Sequence, residues 1–370
     1  MKYRELVRHW KKGEGKPLYL GYAGFLLLLL ALCLCTACGR GRSASGTDNN
    51  LIVFNYGDYI DRETLQMFEE ETGIHVKYEE YVTAEDMYTK FSSGTIDYDL
   101  ICTSDYMVQK MMMENSLLPL DQSEMAYKDN VDPAYLKLCR SFDPDNAYAV
   151  PYLWGTLGIL YNEKMVDDPV ESWEILWNDK YKNQIIMQNS MRDAFLVPLK
   201  WKGISVNTVK YEDLHMAQKL LMAQKPLVEA YLVDEIRDAM IAGDAALAVT
   251  YSGDATEAMD ANEDLNYVVP REGSNVWFDC WVIPSCARHK KEAEKFIDFM
   301  NREDVAAMNF DYIYYGTPNQ AVYRNLDEET REDETIFPPK EVLDLCEVYQ
   351  YLGEDTDRVY NRLWKELKAR

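Results

Sequence analysis

The sequence predicts an α/β fold with two similarly built lobes that face a shared cleft, and three observations support this prediction. Strand-like and helical stretches alternate between residues 51 and 106, which is typical of a largely parallel sheet covered by helices. The order of helix, glycine, strand and polar cluster around residues 94–106 returns around residues 234–254. The long extended run Tyr148–Asn162, interrupted by glycines, predicts a crossover from one lobe into the other.

Length and composition set the broad class of the protein. A chain of 370 residues with 47% apolar residues has enough material for two globular cores. The formal net charge of −24 argues against nucleic acid or an anionic membrane surface as a ligand. The same charge favours a cationic ligand.

The first 38 residues are predicted to be a leader outside the fold. Six basic residues and only two acidic ones precede or flank an apolar run from Leu18 to Ala37. Small residues stand just before Cys38, so the segment resembles a bacterial lipoprotein signal in which Cys38 is lipidated. An uncleaved transmembrane anchor is the alternative. Residues 39–50 are polar and small and predict a tether, and both interpretations place the remainder outside the cytoplasmic membrane.

The first predicted lobe begins with three strands that alternate with two helices. Asp61 is expected to cap a helix that Gly73 closes, because these residue types are preferred at the two ends of helices. Strands are predicted over residues 51–55, 74–78 and 98–103, and a further helix over residues 84–91. In such sheets ligands bind beyond the carboxyl ends of strands. Those ends carry the polar and aromatic side chains of Tyr56, Asp58, Tyr59, Ser104 and Tyr106.

The second predicted lobe repeats this pattern. Ser172 is expected to cap a helix through Leu176, and residues 184–188 form a strand that leads to Arg192 and Asp193. A helix over residues 234–242 stops at Gly243. The strand 245–250 that follows ends at Tyr251 and Asp254.

The strand Val276–Pro284 is predicted to lead back into the first lobe, so that the chain crosses between lobes at least twice and forms a hinge. Asp279 is costly to bury on so apolar a strand unless a positive group meets it. Trp277 points to the same side because side chains alternate along a strand, and an indole beside a carboxylate suits an organic cation. A core strand with one acid exposed at a sheet edge is the alternative.

The chain lacks the common sequence motifs of enzymes. No zinc-protease, nucleophile-elbow, phosphate-loop or dinucleotide motif occurs, and the five cysteines beyond Cys38 have no metal-site or disulfide spacing. We therefore predict no metal and no cofactor. Instead, carboxylates and aromatic residues recur together at three predicted strand ends, around Asp58, Asp254 and Asp279. Each cluster alone is also compatible with core packing beside a solvated acid.

The part of the chain beyond Leu51 resembles the substrate-binding proteins of spermidine/putrescine ABC importers. The resemblance is carried by Asn55-Tyr56-Gly57-Asp58-Tyr59, Glu71-Thr72-Gly73-Ile74, Tyr98-Asp99-Leu100, Ser104, Val150-Pro151-Tyr152, Trp277-Phe278-Asp279 and Gly316-Thr317-Pro318-Asn319. It implies a type II periplasmic-binding-protein fold that closes on its ligand in an interlobe cleft. It also implies polyamine-binding roles for Tyr56, Asp58, Tyr59, Ser104, Tyr106, Asp193, Tyr251, Asp254, Trp277, Asp279, Tyr315 and Gln350. Ser190 and Tyr251 depart from the family, which has an acid and a Trp there.

The resemblance also implies an architecture and partners. One lobe is expected to contain residues 51–153 and 279–325, and the other residues 154–278 and 326–370. The expected function is a monomeric, non-enzymatic receptor outside the cytoplasmic membrane that delivers putrescine or spermidine to an ABC permease. Two alternatives are the same fold with another small cationic or amino compound as cargo, and an exported glycoside hydrolase that uses a pair of carboxylates.

Overall fold

The structure is a computed structural model that describes residues 50–369. The predicted leader, the lipidation site at Cys38 and nearly all of the predicted tether lie outside the described residues. Asn50, predicted as the last residue of the tether, is instead the first residue of a strand. No helix within residues 50–369 is long and apolar enough to span a membrane.

In this part of the chain ten strands form one connected sheet, and the main path runs in the order β2-β1-β3-β10-β5-β8-β6-β7. Strand β4 adds to β10, and β9 adds to β5. The strands are β1 (Asn50–Tyr56), β2 (His75–Tyr81), β3 (Leu100–Ser104), β4 (Leu117–Leu118), β5 (Ala149–Asn162), β6 (Ile185–Gln188), β7 (Val228–Leu232), β8 (Leu247–Tyr251), β9 (Leu265–Val268) and β10 (Val276–Pro284).

The two ends of this path are parallel and the centre is antiparallel. Strands β1, β2 and β3 pair in parallel, as do β6, β7 and β8. Strand β10 runs antiparallel to both β3 and β5, and β5 runs antiparallel to β8. The parallel sheet predicted from residues 51–106 is therefore confirmed. The centre of the sheet is antiparallel, and there two long strands carry the chain between the halves.

Strand β5 belongs to both halves of the sheet. Its residues Ala149–Thr156 pair with β10, whereas Leu157–Asn162 pair with β8 and β9. Separate hydrophobic cores lie on either side of this division. One core packs around Trp173 and Phe195, and two others cover the faces of the β1-β2-β3-β10 region around Trp281 and Phe278.

Fourteen α-helices lie within the described residues. They are α1 (Arg62–Thr72), α2 (Ala84–Ser92), α3 (Asp105–Met113), α4 (Pro133–Cys139), α5 (Met191–Trp201), α6 (Tyr211–Gln224), α7 (Glu235–Ala242), α8 (Ser252–Ala261), α9 (Lys290–Met300), α10 (Glu303–Ile313), α11 (Gln320–Asn325), α12 (Glu328–Glu332), α13 (Lys340–Leu343) and α14 (Glu354–Ala369). Asp61 caps α1 by accepting from the Glu63 amide, as predicted. Gly73 and Gly243 end α1 and α7 in the left-handed conformation that glycine adopts without a Cβ clash. Ser172 does cap a helix, but this is the short 3₁₀ helix Trp173–Trp177.

The C-terminal segment, beyond residue 325, does not pack as one block. Ile336 and Phe337 pack against Ala306 and Phe310, and Phe337 also packs in the core around Phe278. By contrast, Leu363 and Leu367 of α14 lie in the core of the other half. The segment between them forms a bridge with the chain just before β10, pairing Glu347 in parallel with Asn275. The predicted assignment places all of residues 326–370 in the second lobe.

Candidate functional site

Asp279 lies at the middle of the molecule, on the central strand β10. All nine residues of this strand are buried, and Ser104 at the end of β3 pairs directly with Asp279. The Asp279 side chain is 8% exposed, and its Oδ2 accepts a hydrogen bond of 2.9 Å from the Tyr59 hydroxyl. Burial raises the pKa of Asp279 to about 7, while hydrogen bonds from Tyr59 and Tyr56 act in the opposite direction. The alternative of an acid exposed at a sheet edge is therefore wrong.

A second carboxylate, Asp193, stands in the first turn of α5, where the helix dipole favours a negative charge. It is 5% exposed. Its Oδ2 accepts from the Tyr251 hydroxyl at 2.7 Å, and its Oδ1 accepts from the Tyr349 hydroxyl at 2.9 Å. Tyr251 ends β8 and Tyr349 comes from the C-terminal segment, so three separate parts of the chain meet at this carboxylate.

The third carboxylate, Asp254, stands in the first turn of α8. Burial raises its pKa to about 7, and the nearby Asp234 raises it further. The charge of Arg237 and a hydrogen bond from Tyr315 act in the opposite direction. Asp254 is half-buried by exposure, but it matches Asp279 in one respect: the protein surroundings of each acid do not fully compensate its charge.

Four aromatic rings connect the three carboxylates. The ring centroids of Tyr59 and Tyr315 are 5.9 Å apart, those of Tyr315 and Trp277 are 4.9 Å apart, and those of Trp277 and Tyr251 are 6.0 Å apart. The hydroxyl of Tyr59 donates a hydrogen bond to Asp279, that of Tyr315 to Asp254 and that of Tyr251 to Asp193. The rings of Tyr59, Tyr315, Trp277 and Tyr251 form an aromatic wall.

A glycine allows one part of this wall to form. A Cβ placed on Gly253, next to Asp254 in α8, would lie 2.4 Å from the ring of Tyr315. No side chain fits at that distance, so the start of α8 can reach the wall only because residue 253 is glycine.

The remaining predicted site residues lie around this centre. Tyr56 contacts Tyr59 edge to face. Asp58 is exposed, has a left-handed backbone and acts electrostatically on Asp234 of the other half. The Tyr106 hydroxyl donates to Glu85 at 2.9 Å, and the Arg192 guanidinium lies 5.9 Å from the Tyr106 ring.

Gln350 contacts the site through its backbone. The Gln350 carbonyl accepts a hydrogen bond from Arg192, and its backbone amide donates one to Asn207. Gln350 is nevertheless exposed to solvent. The neighbouring Tyr349 is the residue that reaches Asp193. We therefore place Gln350 at the border of the site.

Sequence reasoning missed several residues that shape the site. Tyr349 is the most important, because it holds a carboxylate that lies 156 residues away in the chain. Asp105 is fully buried and accepts from the amides of Tyr106 and Phe278. A polar residue just after a strand was the available signal for Asp105, but Tyr349 follows no such pattern.

This arrangement suits one chemical class of ligand. Buried carboxylates form strong charge-assisted hydrogen bonds with ammonium groups, and flat aromatic rings attract cations and pack against methylene chains. Within residues 50–369 no group of three or more His, Cys, Asp or Glu side chains could hold a metal ion, and the five cysteines of that region are free. A flexible organic cation with more than one positive end fits the carboxylates and the wall.

Comparison with known proteins agrees with this chemistry. Residues 63–338 match the bacterial extracellular solute-binding protein family. The spermidine/putrescine-binding periplasmic protein of Escherichia coli (strain K12) is 33% identical over 332 residues, which cover 88% of this chain and 94% of that protein. The putrescine-binding periplasmic protein PotF of the same organism is 29% identical over 86% of this chain and 91% of its own length.

A solved structure extends the likeness to three dimensions. The spermidine/putrescine ABC transporter substrate-binding protein PotD from Streptococcus pneumoniae is 40% identical and superimposes with a TM-score of 0.77, covering 86% of this chain and 98% of that one. The predicted two-lobed binding-protein fold is thereby confirmed. The chain belongs to the bacterial extracellular solute-binding proteins, in the branch that contains the spermidine/putrescine-binding periplasmic proteins.

Proposed function

We propose that this protein is an extracytoplasmic receptor that binds a polyamine, putrescine or spermidine, and delivers it to an ABC importer. The observation that carries the proposal is the pair of carboxylates, the buried Asp279 and the half-buried Asp254, linked through the rings of Tyr59 and Tyr315. Each carboxylate is poorly compensated by the protein, so a ligand with two ammonium ends supplies the missing charge at both. The names of the relatives support the same ligand class.

The twelve site residues divide into anchors and surroundings. Asp279 and Asp254 anchor the ammonium ends, and the aromatic wall covers the methylene chain between them. Asp193 stands at the Tyr251 end of the wall. The border of the site is formed by Tyr56, Asp58, Ser104, Tyr106 and Gln350.

Access to this site requires the two halves of the sheet to separate, since Asp279 and Asp193 are only 8% and 5% exposed. The chain connects the halves through β5, where the partner strand changes after Thr156, and again before β10 at Val276. We place the lobe boundaries at these two points, a few residues from the boundaries predicted at 153 and 278. Residues up to about Leu343 are assigned to the first lobe because Phe337 and Leu343 pack there.

The leader and the relatives support the cellular context. A lipidated Cys38, or an apolar anchor in its place, would hold the protein on the outer side of the cytoplasmic membrane as a monomer beside its permease. Nucleic acid is not expected as a partner because the net charge is −24. An enzymatic role has no support from the matched family, whose members are solute-binding proteins.

Isothermal titration calorimetry of the purified protein with putrescine and spermidine tests the proposal. We expect saturable 1:1 binding of at least one of them. A glycoside hydrolase would instead bind neither amine and would release reducing sugar from an oligosaccharide. Binding of an amino acid in preference to both amines would keep the fold assignment and reject the polyamine.

A further inference from the structure

Asp193 holds one tyrosine hydroxyl on each of its two carboxylate oxygens. Tyr251 donates to Oδ2 at 2.7 Å and Tyr349 donates to Oδ1 at 2.9 Å. Phenol hydroxyls are neutral, so they satisfy the carboxylate by hydrogen bonding without adding a charge. An ammonium group arriving at Asp193 would have to displace one of these donors or share an oxygen with it.

Tyr349 is fixed on both sides by the backbone that carries it. Asn207 donates to the carbonyl of Val348 at 2.9 Å and accepts from the amide of Gln350 at 2.9 Å. Arg192 donates to the carbonyl of Gln350 at 3.2 Å. The segment around Tyr349 therefore has little freedom to withdraw the hydroxyl from Asp193.

The ring of Tyr349 is held as firmly as its backbone. The Arg192 guanidinium lies 4.5 Å from the ring centroid, and Tyr349 is 4% exposed. Arg192 also places a positive charge beside this end of the site, and that charge disfavours a further ammonium close by.

Asp279 and Asp254 stand in a different part of the site. Asp279 accepts from Tyr59 through Oδ2 and also from Tyr56, yet burial raises its pKa to about 7. Asp254 accepts a hydrogen bond from Tyr315 and is also near the acidic Asp234. Both acids therefore gain from a bound cation.

We propose that Tyr349 is a specificity-determining residue. By occupying Oδ1 of Asp193 with a fixed hydroxyl, it competes with a third ammonium for that carboxylate and favours a diamine over a triamine. This inference rests on the proposed polyamine function and assigns to that function a residue that acts through Asp193.

The test compares the affinities for putrescine and spermidine in the wild type and in Tyr349→Phe. Removing only the hydroxyl frees Oδ1 while the ring and its packing on Arg192 remain. We expect the affinity for spermidine relative to that for putrescine to rise by about tenfold or more, the effect of one hydrogen bond to a charged group. The double variant Tyr349→Phe, Asp193→Asn should lose this gain, because a carboxamide cannot pair with an ammonium ion.

Tyr360→Phe is the matched control. Tyr360 is also buried and lies 5.6 Å from the Arg192 guanidinium, and its ring packs on Phe195. Its variant should keep the wild-type ratio of affinities. If the wild type binds either amine and Tyr349→Phe leaves the spermidine-to-putrescine affinity ratio unchanged or lowers it, the role of Tyr349 is rejected and the proposed function stands. A wild type that binds neither amine overturns the proposed function and this inference together.

Discussion

At the scale of single residues, Asp279 is the strongest expected anchor of the ligand. Its carboxylate is buried on the central strand and accepts hydrogen bonds from two neutral tyrosine hydroxyls, those of Tyr59 and Tyr56. Replacing it with asparagine keeps the shape and removes the charge that pairs with an ammonium. We expect Asp279→Asn to weaken binding by about 1.5–3 kcal/mol, the range for hydrogen bonds to charged groups. Calorimetric titration measures this difference.

A surface acid provides the control for Asp279→Asn. Asp86 in the first turn of α2 is exposed, and Asp86→Asn makes the same chemical change away from the site. The Asp86→Asn variant should bind polyamine with the affinity of the wild type. If folded Asp279→Asn protein also binds like the wild type, Asp279 is not an anchor.

The protonation of Asp279 and Asp254 makes binding depend on pH. The pKa of each is raised from 3.8 to about 7 by burial, so near neutrality each carboxyl group is partly protonated before ligand arrives. An ammonium group pairs only with the ionised form. Affinity should therefore fall as pH decreases from 8 to about 5, and binding near pH 6 should release protons. Titrations in buffers of different ionisation enthalpy measure this release, and its absence would contradict the assignment.

The same two carboxyl groups should make the ligand-free protein less stable as the pH rises, whereas the affinity for ligand should increase as the pH rises. Between about pH 4 and pH 7 the folded state holds protons that the unfolded state has lost. The contribution of these groups to the free energy of unfolding is therefore present at pH 4 and is lost as the pH rises through about 7. Urea unfolding of Asp279→Asn should show a weaker loss of stability over this interval than the wild type. At pH 8 the variant should be the more stable protein without ligand, because no charge is buried at residue 279.

The identity of the preferred polyamine depends on Asp254 and Asp193. Asp254 interacts with Tyr315 and lies near another acid, whereas Asp193 has two tyrosine donors. We expect Asp254→Asn to reduce the affinity for putrescine at least as much as that for spermidine, and Asp193→Asn to affect putrescine little. Titration of both variants with both amines decides the point. If Asp254→Asn reduces the affinity for spermidine more than the affinity for putrescine, the site is arranged for the longer ligand.

At the scale of elements, the start of α8 is the part most sensitive to a small change. Gly253 lies against the ring of Tyr315, where a Cβ would approach to 2.4 Å. Gly253→Ala must displace either Tyr315 from the aromatic wall or the helix that carries Asp254. We expect a loss of affinity of at least about tenfold together with a destabilisation of about 1–3 kcal/mol, the cost of overpacking a filled site.

Gly203→Ala separates this effect from the general cost of replacing a glycine. A Cβ added at Gly203 would meet no atom within 4 Å, but the residue has a φ of +67°, so alanine there strains the backbone without touching the wall. It should lower stability and leave affinity unchanged. Equal losses of affinity in both variants would remove the special role of Gly253.

The elements themselves could largely be predicted from the sequence, because their signals are local. Asp61 and Gly73 marked both ends of α1, and the apolar run from Val276 to Pro284 defined β10 residue by residue. The direction of β10 could not be predicted in the same way. Its antiparallel pairing with β3 and β5 depends on where the chain returns, and no local pattern in the sequence encodes that.

The site could be predicted only in part for the same reason. Trp277 and Asp279 share a strand, and Tyr251 and Asp254 are close neighbours in the chain, so their spacing predicts that the members of each pair lie together. Tyr349 and Asp193 are 156 residues apart, and their contact is created by the fold of the C-terminal segment. Asp58 and Asp234 likewise approach each other only because the two halves of the sheet face one another.

At the scale of the whole molecule, the main expectation is that ligand binding holds the two lobes closed. Strands β5 and β10 join the halves, while Asp279 and Asp193 between them are too buried to be reached without an opening motion. Saturating putrescine or spermidine should therefore reduce the radius of gyration measured by solution X-ray scattering.

The same ligand should raise the melting temperature, because it binds the folded state only. A ligand concentration of about 100 times the dissociation constant adds about 2.7 kcal/mol to the free energy of unfolding. Asp279→Asn at the same ligand concentration is the control, since its weaker binding should reduce both the contraction and the gain in stability. A wild type that gains stability while its scattering profile stays the same would contradict closure but keep the ligand, because mass action raises the melting temperature whether or not the lobes move.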